Sequence, residues 1–138
     1  MFIGPDKLVA PPWESAYANE ERLLFQEQTV AVRKVFRAYG FANPGAPMEP
    51  DDHIGLELDF MYRTCCLAME TSSAADLATI CRDQLSFVKE HLLTWVPAFA
   101  ADVAGGARTG FYRGMAHMLH GFLLIDRSLL AELLQEAP

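Results

Sequence analysis

Apolar side chains recur along most of this chain at three- and four-residue intervals, the spacing that gathers them on one face of an α-helix. Over residues 20–39 the stripe is Leu24, Val32, Val35, Phe36 and Tyr39, and Gly40 is placed to close that helix with a left-handed cap. The pattern resumes from about Asp52 to Thr71, with Asp51 or Asp52 as the expected N-cap. Thr71-Ser72-Ser73 interrupts it, and Ser73 with Asp76 three residues on predicts a fresh start. That third helix reaches about Trp95 and carries Leu77, Ile80, Leu85, Val88 and Leu92, and Pro97 is expected to end or kink it. Beyond Gly105-Gly106, a last helix covers roughly 109–135, with Phe111, Met115, Met118, Leu119, Phe122 and Leu123 on its apolar side. Residues 1–19, broken by Gly4-Pro5 and Pro11-Pro12, read as extended and turn-rich. No alternating β-branched run of useful length occurs, so the prediction is all-α: a compact bundle of about four long helices behind an extended N-terminal segment.

Composition narrows the function classes. With 138 residues, 51% of them apolar, the chain can bury a core as one domain. A formal net charge of −7 argues against non-specific binding to nucleic acid or to an anionic membrane, and leaves room for a basic partner such as an arginine-bearing peptide. No 18-residue apolar run predicts a transmembrane helix, and Met1 to Lys7 lacks the basic-then-apolar order of a signal peptide. Cys65, Cys66 and Cys81 show no C-x-x-C spacing and are expected as buried thiols on helices in a reducing compartment.

The densest chemistry is Glu49-Pro50-Asp51-Asp52-His53, three carboxylates and an imidazole directly before an apolar helix. Such a cluster can hold a cation, act as an acid–base pair, or only cap the helix. Other candidates are weaker. His117 and His120 sit three apart with no third ligand at a helical offset, so no metal site is expected. His91 and Trp95 lie one turn apart and read as core packing, and Trp13 reads equally as core or as a groove wall. Ser15 has no triad partner at a recognisable spacing, and no G-x-x-x-x-G-K-[ST] loop occurs.

Taken together, Phe2-Ile3-Gly4-Pro5, Pro11-Pro12-Trp13-Glu14-Ser15 and Glu49-Pro50-Asp51-Asp52-His53 resemble the TorD/DmsD family of redox-enzyme maturation chaperones. Phe87, Glu90-His91-Leu92, Trp95, Pro97 and Phe99, then Phe111-Tyr112, Ala116 and Leu119, follow in the family's order, so the resemblance covers essentially the whole chain. It implies an all-helical cytoplasmic protein, without enzymatic activity, that binds the twin-arginine signal peptide of a molybdenum-cofactor oxidoreductase before export. It implies a peptide-binding surface of Phe2, Pro12, Trp13, Asp52 and His53, with Glu49 nearby and Asp51 and Asp52 able to accept bidentate bonds from arginine. Asp52 is expected to touch the peptide and His53 to orient it. Exposed arginine pairs contribute about 0.2–1 kcal/mol each, so the apolar part of a leader must supply most of the affinity. No cofactor is expected beyond the guanine nucleotide linked to some members. Two positions depart from the family: Gln26 where close relatives carry glycine, and Asp6 where some carry an aromatic ring.

Family chains also begin with further helices, so this chain is expected to match the C-terminal two-thirds of the family fold. Apolar faces left uncovered in that way predict self-association, including a homodimer with exchanged helices, for which residues 42–53 are the expected hinge. Two other readings stay open: a small acid–base enzyme or nucleotide-binding protein using Asp52 and His53, and a structural helical interaction domain in which the acidic loop is only a cap.

Overall fold

Two side chains start helices here by the same device. His53 Nδ1 accepts the Gly55 N–H at 2.9 Å, and Ser73 Oγ accepts the Asp76 N–H at 3.2 Å. Each satisfies a backbone donor that the first helical turn leaves free, a contribution of about 1 kcal/mol. A Cβ on Gly55 would meet the capping His53 ring at 3.2 Å, so the missing side chain lets the ring close over the turn. The cap was expected from Asp51 or Asp52; both carboxylates turn inward instead, and the imidazole takes the position.

The computed structural model describes residues 10–45 and 48–136. The order is α1 (Glu14–Tyr17), α2 (Glu27–Ala38), α3 (Ile54–Glu70), α4 (Ala74–Phe87), a π-helical turn (Val88–Leu92), α5 (Leu93–Gly106) and α6 (Gly110–Glu136). The fold is all-α: among the described residues β-pairing is limited to one isolated antiparallel bridge, Trp13 with His53. Gly40, at φ 73°, closes α2 as its position predicted; Gly40 N–H bonds Arg37 O and Phe41 N–H bonds Phe36 O, the paired bonds of a Schellman cap.

Three boundaries differ from the pattern. Residues 20–26 are not helical, because Asn19 clasps the chain there: its side chain accepts from Leu23 N–H and donates to Leu23 O and Ser15 O. Arg22 and Phe25 consequently adopt φ of 55° and 56°. The third predicted helix is two, α4 and α5, joined through the π-helical turn. Pro97 neither ends nor precedes a break; it lies inside α5, with the wider turn directly upstream of the carbonyl its ring would crowd.

Phe36 of α2, Phe60 of α3 and Phe87 of α4 form the centre, with ring centroids 4.6 Å apart for Phe60–Phe87 and 5.6 Å for Phe36–Phe60. Trp95, Val96, Phe99 and Val103 extend this core along α5. α6 packs on α4 and α5 through Ala116, Leu123 and Leu130, a seam with a seven-residue repeat. The side expected to face the core is therefore largely the other one: Phe111, Met115, Met118 and Phe122 are exposed. Thiol burial holds only for Cys81, since Cys65 is exposed and Cys66 half-buried.

Replacing Phe60, 1% exposed, should separate these two apolar sets. Phe60→Ala is expected to cost about 3–5 kcal/mol in urea unfolding, and Phe122→Ala to stay within about 0.5 kcal/mol. Equal costs would place the outer face of α6 in the core.

Candidate functional site

The segment before α1 runs alongside the loop before α3, held by Ile54 N–H to Pro12 O at 2.8 Å and Glu14 N–H to Asp52 O at 3.1 Å. Asp52 is fully buried, and its carboxylate joins three parts of the chain. Oδ2 accepts the Ser15 N–H at 2.6 Å, and Oδ1 accepts the Thr29 hydroxyl at 2.7 Å. Trp13, the N-cap of α1, offers no side-chain cap, so Asp52 satisfies the first turn of α1 from 37 residues away. An acceptor at a helix N-terminus also meets the positive end of the helix dipole. The carboxylate that was expected to meet a peptide is thus committed internally.

The rest of the acidic segment is also partnered. Glu49 Oε1 accepts the Trp13 indole N–H at 3.0 Å, and the Trp13 ring meets His53 edge-on at 5.5 Å. Asp51, 4% exposed, turns to α2 and accepts from Arg33 Nε at 3.4 Å. Asn43 ties the described parts of the 42–53 loop by donating to Glu49 O at 2.7 Å. Pro12, Trp13, Glu49 and His53 therefore form one half-buried lip, with Asp52 beneath it and Asp51 to the side. Phe2 lies outside the described residues.

Past Trp13 the surface opens into a groove of about 350 Å³. Glu14 and Tyr17 line it from α1, Glu27 and Ala31 from α2, and Glu90, His91 and Trp95 from the π-helical turn and the start of α5. His91 Nδ1 lies 3.1 Å from both Glu14 oxygens, with its ring 5.0 Å from Phe87. The imidazole thus packs, on Phe87 of the core, and adds a polar contact to Glu14 that the spacing did not predict.

Behind Glu14 sits Glu57, fully buried on α3. Its Oε1 accepts the Trp95 indole N–H at 3.0 Å, while Oε2 has no hydrogen-bond donor among the described residues. Burial, then the Glu14 carboxylate facing it, push the Glu57 carboxyl well above the usual carboxylate range; the Trp95 bond opposes them, and the Asp52 charge adds to them. A proton on Glu57 turns a repulsion between two carboxylates into a hydrogen bond. Sequence reasoning missed Glu14, Glu57 and His91. The usable signal was a glutamate at position 57, on the same helical face as Phe60, Met61 and Thr64.

Among the described residues no group of three or more His, Cys, Asp or Glu side chains could hold a metal, and no helix is long and apolar enough to cross a membrane. Residues 1–101 match the family model described as nitrate reductase delta subunit. The chain is 32% identical over 136 residues to a protein named chaperone protein TorD from Vibrio cholerae serotype O1 (strain M66-2), covering 99% of this chain and 61% of that one. Proteins of the same name from Aliivibrio salmonicida and Photobacterium profundum are 32% identical over 130 residues, 94% of this chain and 60% of theirs. The chain thus spans less than two-thirds of the length of these relatives.

The Glu57 proton makes a stability prediction. A carboxyl whose folded pKa is raised favours the fold at low pH, and that contribution is lost as pH rises from the ordinary value of 4.5 through the folded value. Glu57→Gln keeps an acceptor for Trp95 and a donor for Glu14 at every pH. The variant should melt with the parent near pH 4.5 and about 2–6 °C above it at pH 8. A pH-independent difference would show that Glu57 is not held neutral.

Proposed function

The chain belongs to the nitrate reductase delta subunit family, the family of the TorD chaperones, and from that premise we propose that it binds the twin-arginine signal peptide of a molybdenum-cofactor oxidoreductase in the cytoplasm and holds the enzyme for maturation before export. The observation that carries this reading is likeness to proteins named chaperones along 94–99% of the chain. The geometry supports it: a lip of Pro12 and the rings of Trp13 and His53 lies next to an acidic groove, and a leader presents an apolar run next to two guanidinium groups. Trp13 and Glu14 are consecutive, so the groove begins where the lip ends.

In this reading Pro12, Trp13, Glu49 and His53 are the contact surface, with Phe2 added by the family resemblance. Asp52 is a positioning residue: its bonds to Ser15 and Thr29 hold the turn that carries Trp13 and Glu14. Asp51 sets the Arg33 side of the loop. An acid–base enzyme finds less support, because Asp52 is fully buried and His53 Nδ1 is occupied as a helix cap.

The proposal extends to assembly. Phe111, Met118, Phe122, Ile125 and Leu129 give α6 an exposed apolar face, which a second copy can cover in a homodimer exchanged about residues 42–53. The chain should sediment as a dimer at high concentration, and Phe122→Glu with Ile125→Glu as a monomer. A monomer throughout would refute this extension.

Fluorescence of Trp13 and Trp95, titrated with a synthetic twin-arginine leader, tests the central reading. Saturation is expected near micromolar, about −8 kcal/mol, with clear weakening for a twin-lysine leader. Asp52→Asn should cost about 1.5–3 kcal/mol in unfolding and weaken leader binding as well. Equal affinity for both leaders, or none for either, would sink the chaperone reading.

A further inference from the structure

We infer that Cys65 of α3 and Cys81 of α4 form a reversible redox pair, in which a peroxide oxidises Cys65 and Cys81 then closes a disulfide between the two helices.

α3 and α4 are joined by residues 71–73 alone, so they run antiparallel as a hairpin. One side chain fixes their register at the thiols. Gln84 Nε2 lies 2.8 Å from Thr64 Oγ1 and 3.3 Å from both Cys65 Sγ and the Met61 carbonyl, which places the Cys65 sulfur at the seam. Cys81 precedes Gln84 by one turn, on the same buried face of α4 as Ile80 and Phe87. In an antiparallel pair a step back along α4 is a step forward along α3, so Cys81 stands beside the turn from Cys65 to Ala68. The two thiols are near enough to feel each other: burial, and after it the Cys65 charge, push the Cys81 thiol up. Cys81 also borders a cavity of about 640 Å³ lined by Leu77, Ala78 and Leu134, which leaves its side chain room to turn toward the bond. Cys66 can replace neither partner. Adjacent helical positions point about 100° apart, and Cys66 stands with Tyr62 one turn earlier on α3.

Exposure divides the roles. Cys65 is exposed and Cys81 is 8% exposed, so an oxidant from solvent meets Cys65 first. With hydrogen peroxide, the Cys65 thiolate attacks one oxygen and the O–O bond breaks. Hydroxide leaves and takes up the proton that Cys65 had released, giving water and a neutral sulfenic acid. The charge that opposed ionisation of Cys81 is then gone. The Cys81 thiolate attacks the Cys65 sulfur, the S–S bond forms, the S–O bond breaks, and the departing hydroxide joins the Cys81 proton as a second water. Two thiols give two electrons to one peroxide, and a small-molecule thiol returns them by exchange.

The test treats the full reduced chain with stoichiometric hydrogen peroxide, unfolds it, caps free thiols with iodoacetamide and cleaves after Glu70, which lies between the two cysteines. Cys66 should be the capped thiol, with the Cys65 and Cys81 peptides joined until dithiothreitol is added. Oxidation should raise the melting temperature on the order of 5–10 °C, and reduction should restore it. Cys66→Ser should behave as the parent. Cys65→Ala, at an exposed position, should abolish the link and leave Cys81 free to be capped. Cys81→Ala should stop at a Cys65 sulfenic acid that dimedone traps. No link, a link through Cys66, a link between chains, or Cys65 oxidised past the sulfenic acid with Cys81 still free would overturn the pair.

Discussion

The hydrogen bonds of the Asp52 carboxylate are the constraint on which the rest of the site depends. A fully buried carboxylate is costly unless donors surround it, and Asp52 finds them in a backbone N–H of α1 and a hydroxyl of α2. Neither donor is near it in sequence. Satisfying one charge therefore fixes the separation of three segments: the strand-like approach to α1, the start of α2 and the loop before α3. Trp13 and Glu14 stand directly before Ser15, so the same bonds fix the backbone that carries an aromatic ring and a carboxylate.

Three acidic side chains within seven positions meet burial in three different ways. Asp52 stays within reach of two donors, Asp51 pairs with the Arg33 guanidinium, and Glu57 is pushed by burial and by Glu14 toward holding its proton. Each solution has a distinct consequence. The first gives rigidity, because breaking it leaves an unsatisfied charge. The second anchors the loop to α2. The third sets a carboxyl of raised pKa behind the Glu14 side chain that lines the groove. Asp52, with α1 and the π-helical turn that carry Glu14 and His91, organises the lip and the groove as neighbours.

The outer face of α6 obeys a different constraint. A narrow seam of Ala116, Leu123 and Leu130 suffices to dock the helix on α4 and α5, and the remaining apolar side chains stay outside. A helix apolar on both sides gives periodicity no way to choose between them. The exposed side is the wider and more aromatic of the two, the composition expected of a surface that meets another apolar surface.

The sequence alone determined the features that local physics controls. Helical spacing specified an all-α chain, Gly40 and Ser73 marked a helix end and a helix start, and short motifs pointed to the family. The spacing and the two helix ends follow from bonds closed within a few residues. Tertiary structure decided the rest, because the partners are remote. Asp52 had the chemistry of a local cap, yet its donors lie 23 and 37 residues away. His91 looked like packing until Glu14, 77 residues distant, faced it. Glu57 was a lone acid on an apolar face until Trp95 and Glu14 defined its protonation. Side-chain type sets what a group can bond; only the folded chain sets which partner arrives, and in a low-dielectric interior the partner decides whether a carboxylate is a cap, an ion or an acid.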